Sequence, residues 1–596
     1  MTPFELALFA SRGVQLAATM SFAGALAFRV GIAPFAVARV LWPSLAVAVA
    51  AAVAWLLLQA ADFSEAATLG EMLKALPAAA FGTRFGHVLL LRLAILALAA
   101  VAAARGRSAG LLAAAALGSL AVAIEAGLGH VAAAADPVLI ASLVVHLLAA
   151  TVWLGSLLPL WLALRGEQPG ATARRFSLLG IMAVAAIAAT ALQQASLLVG
   201  GLPGFVGTEY GHTALVKIGF FLVLLALAVV NRFVLTPALD NAPAALRRLR
   251  VSVLLEAALG LAVVLTAARL ASLPPGVHLQ PEWPFAWRPS LDALADPTLR
   301  GELLPALIGA GAAMLLLALG LAARRIRWVA LAGAIVLAGL ALPHLDLLLV
   351  PAYPTSFYTS LTDFDAYGIA QGARLFAKNC TPCHGADGRG DGVLAKTLPL
   401  PPADLTAEHL WAHTDGEMFW YLTHGIQGPR GDLAMPGFEG AIGSEGRWLL
   451  IDYLRAHNAG AALSERGGWN HPIPAPELEA RCGDGKVVAL EDFRGKVVRI
   501  SVTPPAAAPG LPTLFIDGAR PTEDTCVAGA PEVRLAYAIV TGTTPDRLAG
   551  TVFLVDPAGW LRVRIRPTDP PPDYAALAAQ LIANPVVAPA GVGHHH

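Results

Sequence analysis

Charge is what this chain has least of. Of its 596 residues only 14% are Asp, Glu, Lys or Arg and 57% are hydrophobic, whereas a soluble globular protein carries roughly a quarter charged residues. Most of the chain therefore belongs in lipid. Acidic and basic residues number 41 each, giving a formal net charge of zero. With no polybasic face and no interleaved basic and aromatic pattern, nucleic acid is excluded as a partner. The first apolar segment lacks a basic flank followed by a small-residue cleavage site, so a removable leader is not expected. The terminal "GVGHHH" (591–596) reads as the remnant of an expression tag, and its histidines are set aside.

The low charge is unevenly spread. Residues 1–350 hold long Ala/Leu/Val runs, while 351–596 are rich in Pro, Gly and Asp and read as water-soluble. At about 20 apolar residues per crossing, ten helices are predicted near 8–30, 40–60, 82–104, 109–132, 138–164, 176–199, 213–235, 250–271, 302–322 and 328–350. Arg29, Arg39, Arg105, Arg107, Arg165, Arg174, Arg175, Arg232, Arg247, Arg248, Arg250, Arg324, Arg325 and Arg327 all fall in odd-numbered connections. Cytoplasmic loops retain basic residues, so both the N-terminus and everything after the tenth helix are expected outside, in the periplasm. Trp283, Trp287, Tyr353 and Tyr358 stand where an outer aromatic belt would lie.

The soluble part opens with "FAKNCTPCHGADGRGDG" (376–392). Cys380-Thr381-Pro382-Cys383-His384 has the C-x-x-C-H spacing of covalent c-type haem attachment, with both thiols joined to the porphyrin and His384 on the iron. A small zinc site would need two further Cys or His ligands at short spacing, and none is nearby. "DAYGIAQGARLFAKNCTPCHG" reads as a helix feeding this site, and "SEGRWLLIDYLRAH" as a second helix with Ser444 as a plausible N-cap. Together with "GDLAMPGF" these segments resemble a single-haem class I cytochrome c over about 365–460. Met435 in "AMPGF" is the expected second axial ligand by that resemblance, and Met418 in "GEMFWYL" reads as helix packing. His409, His413 and His424 are rival ligands.

Six further histidines lie in the membrane part: His87, His130, His146, His212, His278 and His344. All map to the periplasmic half, with His146 roughly 13 Å deep at about 1.5 Å per residue. Intramembrane ionisable groups are costly and point to function, and imidazole ligates copper, haem iron and zinc. His130, His146 and His212 are the expected set for copper or haem b, because a very short connection joins the fourth and fifth helices and the seventh starts at the same level. His278 and His344 read as interfacial. Glu125 and Lys217 either face a polar cavity or form one buried ion pair. No histidine lies in the cytoplasmic half, so a two-haem transmembrane path is not expected. The spans offer a copper channel only Met20, Met72, Met182 and Met314, without cysteine, and Met is more often core filling.

"HLLAATVWLGSLLPL" (146–160), "EAGLGHVAAAADP" (125–137) and "GTEYGHTALVKIGFFLVLLALAVVNR" (207–232) resemble the copper-resistance CopD family of inner-membrane proteins over about residues 10–272. That resemblance implies copper handling at the bacterial inner membrane, by uptake or by redox chemistry. It maps the family's functional histidines onto His130 and His146. Residues 466–590 alternate β-branched runs with Gly and Asp and end in the helical "DYAALAAQLIA", an arrangement that resembles the redoxin and Sco branch of thioredoxin-like proteins. "TPPAAAPG" stands where that branch places its cysteine pair, so no thiol chemistry carries over. The two remaining cysteines, Cys482 and Cys526, are expected to form a structural disulfide in an oxidising periplasm.

The expected architecture is multidomain: a polytopic α-helical bundle of about ten helices with both ends outside, an all-α cytochrome c domain, and a degenerate α/β thioredoxin-like domain. Its boundaries are 1–272 for the CopD-like bundle and 273–350 for two added helices with a periplasmic loop. The cytochrome takes 351–462 and the tail domain 463–590. The expected function is copper-linked redox chemistry at the bacterial inner membrane. Electrons pass between a periplasm-facing metal or haem site in the bundle and the tethered haem c. The catalytic version is a periplasmic metalloreductase or oxidase. Alternatives are a copper transporter with a redox-tuning cytochrome, or an accessory electron-transfer or assembly subunit of a respiratory complex. Implied partners are the lipid bilayer, a periplasmic electron carrier or copper protein, and a respiratory oxidase.

Overall fold

The computed structural model describes residues 2–66, 68–133, 136–239, 243–294, 296–428, 430–502, 510–517 and 525–586, without the side chains of 130, 133 and 243. The "TPPAAAPG" stretch and the terminal histidines fall almost wholly outside the described residues. The chain forms two compact units, Met1–Pro281 and Glu282–His596.

Ten helices among the described residues are long and apolar enough to cross a bilayer: Pro3–Gly31, Ala38–Ser64, Arg84–Ala104, Ser108–Gly127, Pro137–Ala163, Pro169–Leu198, Glu209–Leu235, Ala244–Leu270, Pro297–Ala322 and Arg327–Leu348. Each overlaps a predicted segment. Side-chain oxygens set several starts: Asp136 caps the fifth span through the amides of Val138 and Leu139, and Thr208 caps the seventh through Gly211. The first span is the hub of the first unit, packing on the second, fourth, fifth and eighth. Its approach to the fifth span depends on glycine, because a Cβ at Gly24 would overlap the backbone of Gly155. Small residues of this kind let transmembrane backbones touch where lipid supplies no hydrophobic drive between helices. The fifth helix breaks at Leu154–Ser156, and Ser156 Oγ donates to the Gly24 carbonyl at 3.2 Å.

The second unit holds the ninth and tenth spans, a small helical domain and a C-terminal sheet. Strand Trp287–Pro289 pairs antiparallel with Leu349–Pro351, and Trp283 is buried against Phe357. Tyr353 stacks on Trp420. Trp283 and Tyr353 thus serve internal packing rather than an aromatic belt. Helices Ala366–Asn379 and Ser444–Arg466 pack face to face, with Asp415–His424 against the second of them. Gly443, not Ser444, occupies the N-cap position of the long helix. The sheet is mixed, in the order 561–565, 552–555, 498–502, 513–516, 526–528, 479–482, 487–489. Strand 513–516 is parallel to both its neighbours and the other pairings are antiparallel. Cys482 and Cys526 sit opposite each other in that sheet and are disulfide-bonded.

Candidate functional site

The C-x-x-C-H segment follows directly from the helix 366–379. Its last four residues form the single turn Thr381–His384, ended by Gly385 at a φ of 76°. Cys380 is buried, Cys383 half-buried, and neither is bonded to another sulfur. His384 Nδ1 lies 3.0 Å from the carbonyl oxygen of Ala403, to which it can donate. That contact fixes ring and tautomer and leaves Nε2 for a metal. Burial lowers the pKa of His384 while the Ala403 hydrogen bond opposes the shift, so the ring is neutral, as a ligand must be. The turn sits on an apolar bed of Phe376, Met418, Phe419, Leu422, Trp448 and Leu454.

Met435 ends strand Leu433–Met435, which pairs with Ile426–Gln427, and it packs half-buried against the same apolar bed as Cys380. Met418 is buried inside the helix Asp415–His424. Of the rival imidazoles, His409 is exposed, His413 Nδ1 faces Glu417 at 3.6 Å, and His424 packs on Trp420. Two free thiols, an oriented neutral imidazole, an apolar bed and a thioether on a nearby strand fit a covalently attached haem.

Among the described residues, the membrane histidines form no cluster of three. His146 is buried, with Nδ1 2.9 Å from Thr190 Oγ1. His212 is exposed and its Nε2 lies 2.8 Å from the carbonyl oxygen of Val206. His130 opens the short helix His130–Ala133, but its side chain lies outside the described residues. His87, His278 and His344 are exposed. Among the described residues no three His, Cys, Asp or Glu side chains gather as a metal site. His212 turns back onto the preceding helix Gly201–Gly207 and does not line the cavity that His146 lines, while the third member of the expected set, His130, has its side chain outside the described residues.

His146 instead lines a cavity of about 150 Å³ with Trp153, Gln194, Tyr210, Lys217 and Phe221. Cofactor-sized pockets run to about 300–1,000 Å³, so this space does not fit a haem b. Lys217 and Glu125 are not partners. Glu125 is held by Arg12 at 3.3 Å and by Arg92, whose Nε also donates to the Ala121 carbonyl at 3.0 Å. Arg92 was missed because basic residues were weighed only in the connections, although an arginine inside an apolar span is itself a signal. The pair Arg288–Glu417, at 2.6 Å, was also missed. It is buried in the second unit, and nothing in the local sequence links residues 129 apart.

Comparison with known proteins divides the chain in the same way. Residues 1–136 match the family model for the copper resistance protein D-like N-terminal domain, residues 170–270 that for copper resistance protein D, and residues 368–454 that for cytochrome c oxidase, cbb3-type, subunit III. His130 and His212 lie within matched segments and His146 between them. The chain is 35% identical over 149 residues to the copper transport protein CutJ of Bacillus subtilis (strain 168), covering 24% of this chain and 26% of that protein. It is 29% identical over 116 residues to the cbb3-type cytochrome c oxidase subunit CcoP of Azospirillum brasilense, covering 18% of this chain and 37% of that one. It thus spans well under two thirds of either relative. No solved structure matches. The chain is a membrane protein that joins copper resistance protein D domains to a cytochrome c domain of the cbb3 oxidase subunit III kind.

Proposed function

We propose that this protein is a copper-linked redox protein of the bacterial inner membrane. Its bundle and its c-type haem exchange electrons on the periplasmic side. The observation that carries the reading is the haem attachment turn, Cys380 to His384, with the imidazole held by Ala403, on the same chain as the copper-resistance helices. In this reading Cys380 and Cys383 hold the haem, and His384 and Met435 are its axial ligands. The haem supplies one-electron transfer, and a thioether ligand raises its potential. The chain's own contribution is to fix the imidazole tautomer, to keep water from the apolar bed and to set the position of Met435.

The placement outside rests on the basic residues, which collect at one end of the spans: Arg29, Arg105, Arg174 and Arg247 lie at or beside helix ends on that side. Arg92 and Arg12 share the single carboxylate of Glu125 within the bundle and are not in the connections from which the orientation is read. His146 is the one described imidazole in the bundle that is both buried and at a cavity, so the membrane end of the electron exchange is assigned there. If copper binds at that end, His130 is the further ligand to test.

A pyridine haemochrome spectrum with copper analysis of the purified chain tests this. One c-type haem per chain without haem b, lost in the variant Cys380→Ala/Cys383→Ala, is expected. Absence of covalent haem would refute the reading. A second reading, an accessory electron-transfer subunit of a respiratory oxidase, is favoured by the match to CcoP. Co-purification with oxidase subunits would select it. The likeness to CutJ favours copper transport, for which copper entry into vesicles is the readout.

A further inference from the structure

The His146 cavity has a composition that a copper site does not explain. One imidazole and the amine of Lys217 line it, with the Gln194 amide and the Tyr210 hydroxyl. No carboxylate, thiol or thioether is among its lining residues. A single imidazole with no second anionic or soft donor is a poor copper site, because cuprous copper prefers soft donors. Lys217 has no acidic partner among the described residues, and Gln194 Nε2 is buried without a hydrogen-bond partner. An unsatisfied donor in a bilayer is costly, so the Gln194 amide points to an acceptor that is brought from outside.

Two of the polar groups share one depth. His146 lies nine residues inside the fifth span from Pro137, and Lys217 eight inside the seventh from Glu209. Both therefore sit about 12–14 Å from the same end of the bundle at about 1.5 Å per residue. Gln194 lies four residues from Leu198 at that end of the sixth span. The remaining wall is apolar and aromatic, with Trp153, Phe205 and Phe221 prominent.

Access is lateral. The sixth span packs on the fifth and the seventh on the eighth, but among the described residues the long helices Pro169–Leu198 and Glu209–Val230 hardly touch each other. Ala188, Ala191 and Ile218 line the cavity from these two helices and are exposed on the bundle surface. The mouth therefore opens where acyl chains lie. A phosphate or other free anion would need several charge-assisted donors and an aqueous entrance. A flat ring with hydrogen-bond-accepting oxygens and a hydrocarbon tail needs neither.

We infer that this cavity binds the headgroup of a lipid-soluble quinone, with its oxygens held by Lys217 and Gln194 and its ring among the aromatic side chains, while the Nε2 lone pair of His146, whose Nδ1 faces Thr190 Oγ1, accepts from a hydroxyl of the reduced quinol. About 150 Å³ admits one substituted ring and excludes a macrocycle. The inference names the membrane partner of the electron exchange proposed above and rests on that reading for its consequence, while the binding itself is tested without electron transfer.

The test is a titration of the full chain in lipid nanodiscs with 2-heptyl-4-hydroxyquinoline N-oxide, a fluorescent quinone analogue, followed by its quenching. Saturable binding at one site per chain, displaced by decylubiquinone, is expected. Lys217→Met should weaken it by about threefold to tenfold, as loss of a buried hydrogen bond does. Ala191→Trp, at the exposed mouth, should do the same without disturbing a buried contact. Haem content and gel-filtration profile report folding of each variant. No saturable binding, or binding indifferent to both substitutions, overturns the proposal, as does stoichiometric copper lost on His146→Ala. Intact binding with a haem that stays ferric when decylubiquinol is added would support the site and sink the electron-exchange reading instead.

Discussion

Gly425 controls where Met435 can stand. It ends the helix Asp415–His424 at φ 80° and ψ −173°, a region of backbone space that is essentially restricted to glycine. A Cβ there would overlap the carbonyl oxygen of Met435 and come within 2.8 Å of the amide nitrogen of Gly437. Both are backbone atoms, which no side-chain rotation can move aside. Gly425→Ala therefore costs about 1–3 kcal/mol for the dihedral alone, and the overlap must further displace the strand Leu433–Met435 from Ile426–Gln427. If Met435 is the iron's sixth ligand, that displacement lengthens or breaks the bond and the haem potential falls. The assay is potentiometric titration of the haem band combined with denaturant unfolding followed at the same band. Gly440→Ala is the control, since no atom lies within 4 Å of its added Cβ. A variant with unchanged midpoint and unchanged potential would refute both the strain argument and the assignment of Met435.

Three further outcomes follow from buried groups. Glu125→Gln leaves the buried guanidinium of Arg92 without its carboxylate, and an uncompensated buried charge costs about 3–5 kcal/mol; lowered thermal stability of the detergent-solubilised protein checks this. Asp452 is almost fully buried beside Thr362, and burial first, opposed by the Thr362 hydrogen bond and aided by Asp415 and Asp365, raises its pKa well above 3.8. The folded state holds that proton more tightly than the unfolded chain, so stability falls as pH rises from about 3.8 toward the folded-state value. Asp452→Asn keeps an acceptor for Thr362, should flatten that slope, and should be the more stable form at mildly alkaline pH in denaturant titrations. Cys482→Ser/Cys526→Ser opens a loop with a sequence separation of 44, which in the chain-entropy treatment removes about 4 kcal/mol; urea titration of the sheet by circular dichroism reads it.

Legibility differed by kind of constraint. The ten spans were readable because hydrocarbon thickness imposes one length on every crossing, and the haem turn because five adjacent residues carry the whole signal. Between residues distant in sequence the signal fades. Gly24 against Gly155, and Arg288 against Glu417, are encounters that no local pattern encodes. The membrane histidines show the limit most clearly. His130, His146 and His212 map to the same half of the spans, but position along a helix says nothing about the direction around it. Only packing shows that His146 turns inward while His212 meets the Val206 carbonyl. Of the two readings of Lys217 and Glu125, a polar cavity or one ion pair, Lys217 lines a cavity and Glu125 pairs with Arg12 and Arg92, a division that no local pattern separates.

The most direct test of the account is the rate at which the haem of the full chain is reduced in nanodiscs, by cuprous ion and by decylubiquinol separately, in wild type and in His146→Ala. A bundle that exchanges electrons with the haem predicts at least one donor slowed about tenfold or more, with haem spectrum and potential unchanged. Equal rates for both donors would contradict it and leave the haem as a carrier that is merely anchored to the membrane.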